Sequence, residues 1–142
     1  MQILGIETSC DETAAAVVED GYKLLSNVVA SSVDLHAAFG GVVPEIAARS
    51  HIESILPVID QALTDAFAAK SSKLKAQSKE KKLSAGFDPW DQIDAIAVTQ
   101  GPGLIGSLLI GVLTARTLAI AKNKPLYAIN HVQAHVFAPF LT

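Results

Sequence analysis

Cysteine is almost absent from this chain; Cys10 is its single one. No intrachain disulfide framework can form, and a reducing interior fits better than secretion. Charge is sparse as well. Lys, Arg, Asp and Glu make up 18% of the residues against 50% hydrophobic, which excludes a disordered chain. The net charge of −3 gives no global signal for nucleic acid. The opening residues, Met1 to Glu7, carry neither a basic region nor a long apolar run. They predict no signal or transit peptide, and a cytoplasmic protein, or an organellar matrix one in a eukaryotic source.

What is there suffices for one domain with a substantial core, since the chain has 142 residues. Leu104 to Ala121 is largely apolar, with Arg116 its only charge, and is long enough to pass for a membrane span. Gly106, Ser107, Gly111, Thr114 and Thr117 interrupt it, and it follows a short strand. A buried helix of an α/β domain reads the same way, so no membrane association is expected.

Gln2 to Glu7, Thr13 to Val18 and Tyr22 to Ala30 read as three strands. Short turns join them, which predicts an antiparallel meander, because parallel pairing needs a long crossover. After Gly40 and Gly41, a helical pattern starts at Pro44-Glu45 and runs through Ile46, Ile52, Ile55, Ile59 and Leu63. Pro57 falls inside it and predicts a kink or two consecutive helices. His36 and His51 are expected at loop and helix surfaces. Lys70 to Lys82 holds six of the eleven basic residues. It reads as a solvated insertion, with an RNA-contacting arm as the alternative; no aromatic residue interleaves it for base stacking.

Ile93 to Thr99 is a buried strand, followed by the glycine-rich Gln100-Gly-Pro-Gly-Leu-Ile-Gly-Ser107, the apolar helix and a last strand, Leu126 to Ile129. The turn is not a P-loop, which needs a Lys-Ser/Thr pair, nor a dinucleotide fingerprint. Its glycines allow either close ligand approach or tight packing of the helix against sheet or partner. Gly103, Gly106 and Gly111 also leave a smooth face that another helix could cover.

Two groups of side chains carry candidate chemistry. His131 and His135 are four residues apart after Asn130, a plausible N-cap, so a helix there would project both imidazoles from one face. Such a pair can hold one divalent metal or be two ordinary surface histidines. The zinc-protease pattern is excluded by Val132, which stands where that chemistry needs a glutamate base. The first turn, Thr8-Ser-Cys-Asp-Glu12, is crowded with hydroxyls and acids. It could hold phosphate or bring an acid to a metal or substrate, or be a solvated hairpin turn.

The summed order, β-β-β-α-β-α-β-α, is the ribonuclease-H-like α/β layout of the actin and sugar-kinase (ASKHA) superfamily, with a mixed five-stranded sheet. Within that layout, Gly5-Ile-Glu-Thr-Ser-Cys-Asp-Glu-Thr13, Gly40-Gly-Val-Val-Pro-Glu-Ile-Ala-Ala-Arg-Ser-His51, Thr99-Gln-Gly-Pro-Gly-Leu-Ile-Gly-Ser107 and Asn130-His-Val-Gln-Ala-His135 resemble the signatures of the TsaD family. These are tRNA adenosine threonylcarbamoyltransferases, and the Gly-Gly-Val-Val-Pro-Glu form is similar to the bacterial and organellar branch.

The resemblance implies transfer of a threonylcarbamoyl group from threonylcarbamoyl-AMP to N6 of the adenosine 3′ to the anticodon of tRNA. It makes His131 and His135 ligands of one divalent metal ion, iron or zinc, completed by an aspartate from a second lobe. Asp11, then Glu12, become the candidate catalytic acids. The implied partners are tRNA, a paralogous TsaB-like protein and other tRNA-modification components, with a homodimer as a further option. Residues 1–142 would be the N-terminal lobe, with a flexible basic insertion at about residues 68–88. The Ser-Gly-Gly adenylate motif and the distal aspartate do not occur in this stretch. The expectation is therefore a half that is inactive without the other lobe. Two competing classes stand beside it: a noncatalytic binding half, and a kinase or ATPase, against which Glu7-Thr-Ser-Cys-Asp11 departs from the Asp-x-Gly-Thr pattern.

Overall fold

A computed structural model describes residues 1–77 and 86–142. Strands β1 (Gln2–Glu7), β2 (Glu12–Glu19) and β3 (Lys23–Ser31) form the expected antiparallel meander. Strands β4 (Ala95–Gly101) and β5 (Leu126–Asn130) add in parallel on the other side of β1, giving one mixed sheet in the order β3-β2-β1-β4-β5. The parallel pairs require crossovers, which the helices supply.

Alternation along the strands sorts the two faces. Leu4 and Ile6 of β1, Ala15 and Val17 of β2, and Ile96 and Val98 of β4 point to one side and are buried there. After a short helix α1 (Val33–Ala37), helices α2 (Pro44–Gln77) and α3 (Ile105–Lys122) cover that side. The other side carries Gly5, Glu7, Ala97 and Thr99, and the short helix α4 (His131–Phe137) stands at its edge.

Three expectations need correction. Pro57 does not divide its segment into two consecutive helices; α2 is continuous through it. Pro57 itself is exposed, so water can serve the carbonyl that its missing N–H leaves free. An internal proline costs about 3 kcal/mol. Ile55, Val58, Ile59, Leu63 and Phe67 are all buried along the same helix, each contributing roughly 1.5–3 kcal/mol, so packing wins. The lysine-rich stretch is also not all loop. Its first residues, Lys70 to Gln77, extend α2, helped by good helix formers and by the Lys70 ammonium over the Phe67 ring, 5.6 Å from its centroid. Residues 78–85 of the expected insertion lie outside the described residues, and residues 86–88 form neither helix nor strand.

The third correction concerns α3, which is not buried all round. It buries one stripe, Ser107, Gly111, Ala115 and Ala119, and leaves Ile105, Leu109, Leu113 and Ile120 exposed. Small residues at every fourth position let this helix lie close on the sheet. By length and composition the helix would suit a bilayer; here it packs on β4 and α2.

Candidate metal centre

The ends of β1, β4 and β5 meet at one edge of the sheet, and the candidate residues gather there. Asn130 ends β5 in an extended conformation and caps α4, its Oδ1 accepting from the Gln133 N–H at 3.1 Å. The helix therefore begins at His131, and His135 follows one turn later. Their rings meet edge to face, centroids 4.6 Å apart, and their Nε2 atoms lie 2.9 Å from each other.

Behind His131 stands Glu7, the last residue of β1. Ile6 of β1 is in register with Val98 of β4, so Glu7 lies beside Thr99 on the face away from α2. One carboxylate oxygen, Oε1, accepts from the Ser9 N–H at 2.5 Å. The other, Oε2, accepts from Thr99 Oγ1 at 2.5 Å and sits 3.2 Å from His131 Nδ1. Ser9 Oγ is also 3.2 Å from that nitrogen. Burial alone would raise the Glu7 pKa, but the hydrogen bonds from Ser9, Thr99 and His131 outweigh it and hold the carboxyl below the ordinary glutamate value.

The turn between β1 and β2 is drawn into the domain from several sides. Thr8 and Ser9 are buried, and Leu104 N–H donates to the Ser9 carbonyl at 2.8 Å. A Cβ on Gly103 would lie 2.5 Å from that same carbonyl oxygen, and one on Gly111 would strike the Thr8 hydroxyl. These two glycines serve internal packing, so they do not contribute to a free smooth face. His36 and His51, expected at the surface, are both buried. His51 Nε2 is 2.8 Å from the Cys10 carbonyl and its Nδ1 is 2.7 Å from Thr13 Oγ1. His36 accepts from the Val43 N–H and contacts Ser32 Oγ, which donates to the Asp11 carbonyl at 2.7 Å. Backbone groups thus anchor both rings: the Cys10 carbonyl takes a hydrogen from His51 Nε2, and the Val43 N–H gives one to His36 Nδ1.

Asp11 thus sits in a turn fastened at the same sheet edge as the histidines, and Glu12 opens β2 beside it. No hydrogen bond joins either carboxylate to His131 or His135. The acid that reaches the pair is Glu7. Its place was legible in principle, because Leu4 and Ile6 point inward and strand alternation sends Glu7 to the opposite face. A cleft of about 520 Å³ opens on that face, floored by Gly5, Ala14, Ala97 and Thr99 and bordered by His131 and His135.

The chemistry of the pair suits a metal. Two ligand nitrogens of one tetrahedral zinc, each at about 2.0–2.1 Å, stand roughly 3.3 Å apart, close to the 2.9 Å separation of the Nε2 atoms. A carboxylate behind a ligating histidine is the usual supporting contact. Among the described residues no group of three or more His, Cys, Asp or Glu is arranged to hold a metal, so the histidine pair would offer two ligands of a larger set.

A model of the family described as TsaD, tRNA N6-adenosine threonylcarbamoyltransferase, matches residues 23–76 and 80–142. The chain belongs to the TsaD family. It is 50% identical over 99% of its length to the tRNA N6-adenosine threonylcarbamoyltransferase of Syntrophobacter fumaroxidans, and 53% identical over its whole length to that of Thermomicrobium roseum. It covers 36% and 33% of those relatives, so it spans about a third of their length. Among solved structures, YeaZ from Pseudomonas aeruginosa shares the fold, with a TM-score of 0.54 at 20% identity over 92% of this chain and 45% of that one. A second Pseudomonas aeruginosa structure, titled as similar to peptidase YEAZ, gives 0.55 at 21% identity over 91% of this chain and 43% of the other. The ribonuclease-H-like layout with a mixed five-stranded sheet, expected from the element order, is the fold observed.

Proposed function

We propose that this chain is the metal-binding portion of a tRNA N6-adenosine threonylcarbamoyltransferase, and that the donor is threonylcarbamoyl-AMP. The single observation that carries the proposal is the convergence of His131 and His135 Nε2 at 2.9 Å with Glu7 behind them. In the reaction, N6 of the tRNA adenosine attacks the donor's carbamoyl carbon, the bond from that carbon to the phosphate oxygen breaks, AMP leaves, and N6 gives up a proton. His131 and His135 would hold iron or zinc, which when bound supplies Lewis-acid polarisation of the donor. Asp11, or Glu12 beside it, would take the proton or orient the amine, since the tethered turn lies at the same sheet edge. A further ligand and the remaining donor contacts come from chain beyond this third of the relatives' length.

The partners in this proposal are tRNA and a paralogous TsaB-like protein. Helices α2 and α3 pack on each other, and both expose large apolar side chains: Ile52 and Leu56 on the first, Ile105, Leu109 and Leu113 on the second. Exposed apolar faces of this kind suit helix-to-helix association.

The test uses the complete protein with its companion proteins, tRNA and donor. Nucleoside mass spectrometry should detect threonylcarbamoyladenosine with the wild type and lose it with His131→Ala and His135→Ala, and elemental analysis should show the metal lost in parallel. A noncatalytic binding half is the competing reading, favoured by the two-ligand count. It requires metal content that does not depend on the histidines, and that result would displace the transferase proposal.

A further inference from the structure

The geometry points to Glu7 as the positioning residue of the metal centre: it holds His131 as the Nδ1–H tautomer and so leaves the Nε2 lone pair facing His135. The inference rests on the metal-binding reading of the histidine pair.

The argument is one of donors and acceptors. An ionised carboxylate has no proton to give, and Glu7 Oε2 lies 3.2 Å from His131 Nδ1. Two lone pairs at that distance would repel, so Nδ1 carries a hydrogen, and in the neutral ring Nε2 then keeps its lone pair. Glu7 is itself held from two sides, by the Ser9 N–H on Oε1 and by the Thr99 hydroxyl on Oε2. These partners belong to the β1–β2 turn and to β4, so three segments fix one imidazole plane. His135 has no such tie on its Nδ1 among the described residues. Without metal, His135 can donate from Nε2 to His131 Nε2 across their 2.9 Å gap. To hold a metal together with His131, His135 would need that hydrogen on Nδ1 instead, leaving its Nε2 lone pair free. The division of roles is thus unequal: His131 is prearranged and His135 adapts.

Glutamine cannot replace Glu7. Both carboxylate oxygens act as acceptors, and an amide offers one acceptor and one donor. Whichever way the amide turns, either Ser9 N–H meets an N–H or His131 Nδ1–H does.

The experiment uses the full-length protein and zinc alone as the probe. Zinc affinity is measured against a competing chelator for wild type, Glu7→Gln and His131→Ala, with thermal melting as the check on folding. Long-range ¹H–¹⁵N spectra of histidine-labelled, metal-free wild type report the tautomer of His131 without any substitution. The expected result is an Nδ1–H signature for His131 and a zinc affinity reduced about 10- to 100-fold in Glu7→Gln, with a larger loss in His131→Ala. Unchanged affinity in Glu7→Gln beside a large loss in His131→Ala overturns the role of Glu7 and leaves the metal site standing. An Nε2–H signature in the wild type overturns it as well, even if Glu7→Gln fails to fold. Unchanged affinity in His131→Ala removes the metal site and this inference with it.

Discussion

Thr8 and Ser107 stand 99 residues apart in sequence and share a buried hydrogen bond, the Thr8 hydroxyl donating to the Ser107 carbonyl at 2.7 Å. That bond joins the turn after β1 to the first turn of α3. It depends on Gly111, one helical turn further on, whose missing Cβ makes room for Thr8.

Gly111→Ala should therefore destabilise the domain. In an open helix the change would gain about 1 kcal/mol from propensity. Here the added methyl meets Thr8, which is fully buried and cannot swing aside, and overpacking costs typically ~1–3 kcal/mol. The clash should cancel or exceed the gain, so the expected outcome is no stabilisation and a net loss of up to about 2 kcal/mol. Denaturant unfolding measures it, and a clear rise in the midpoint would mean that the turn has slack.

Ser107→Ala tests the same junction with the opposite sign. The Ser107 hydroxyl is buried and has no hydrogen-bond partner among the described residues, although its carbonyl is used. Burying an unsatisfied hydroxyl costs roughly 1–3 kcal/mol. Alanine also prefers the helix. The melting temperature should hold or rise, and a marked fall would show that the hydroxyl has a partner in solution.

His51 offers a larger effect. It is fully buried and links α2 to the Cys10 carbonyl and the Thr13 hydroxyl. His51→Leu keeps the volume but leaves both polar groups without their partner, at about 1–3 kcal/mol each. A loss of roughly 2–5 kcal/mol is expected in chemical unfolding. Zinc binding by the folded fraction should persist, because His131 and His135 lie on α4. Loss of both together at low denaturant would show that the tether reaches further, into the metal centre itself.

How far these features were legible in the sequence depends on whether they are local. Asn130 as the N-cap and the projection of His131 and His135 from one face follow from residue type and spacing, and both hold. The meander and the parallel β4–β5 pair follow from loop lengths. The burial of His36 and His51 does not. A histidine is buried when a backbone carbonyl or N–H from elsewhere happens to satisfy its ring, and Cys10 and Val43 are brought there only by tertiary folding. Glu7 was passed over for the same reason: its partners Thr99 and His131 are distant in the chain. Pro57 misled because helix rules are local, whereas the packing of Phe67 and its neighbours is not.

The outer face of α3 gives the last prediction. Leu109 is 51% exposed and Ile105 85%, although both belong to a helix whose opposite stripe packs on the sheet. A lysine at an exposed helical position changes stability by no more than about 0.5 kcal/mol. Set in the centre of an apolar helix-to-helix contact, it would leave a charge desolvated and weaken binding by about 2 kcal/mol or more, some thirty-fold in Kd. Leu109→Lys in the complete protein should therefore melt like the wild type and yet bind the proposed TsaB-like partner much more weakly in titration calorimetry. Ala121, exposed in the last turn of the same helix, gives the control position for an added charge. If Leu109→Lys binds the partner as tightly as the control does, α3 is not the contact, and the exposed side chains of α2 become the next surface to substitute.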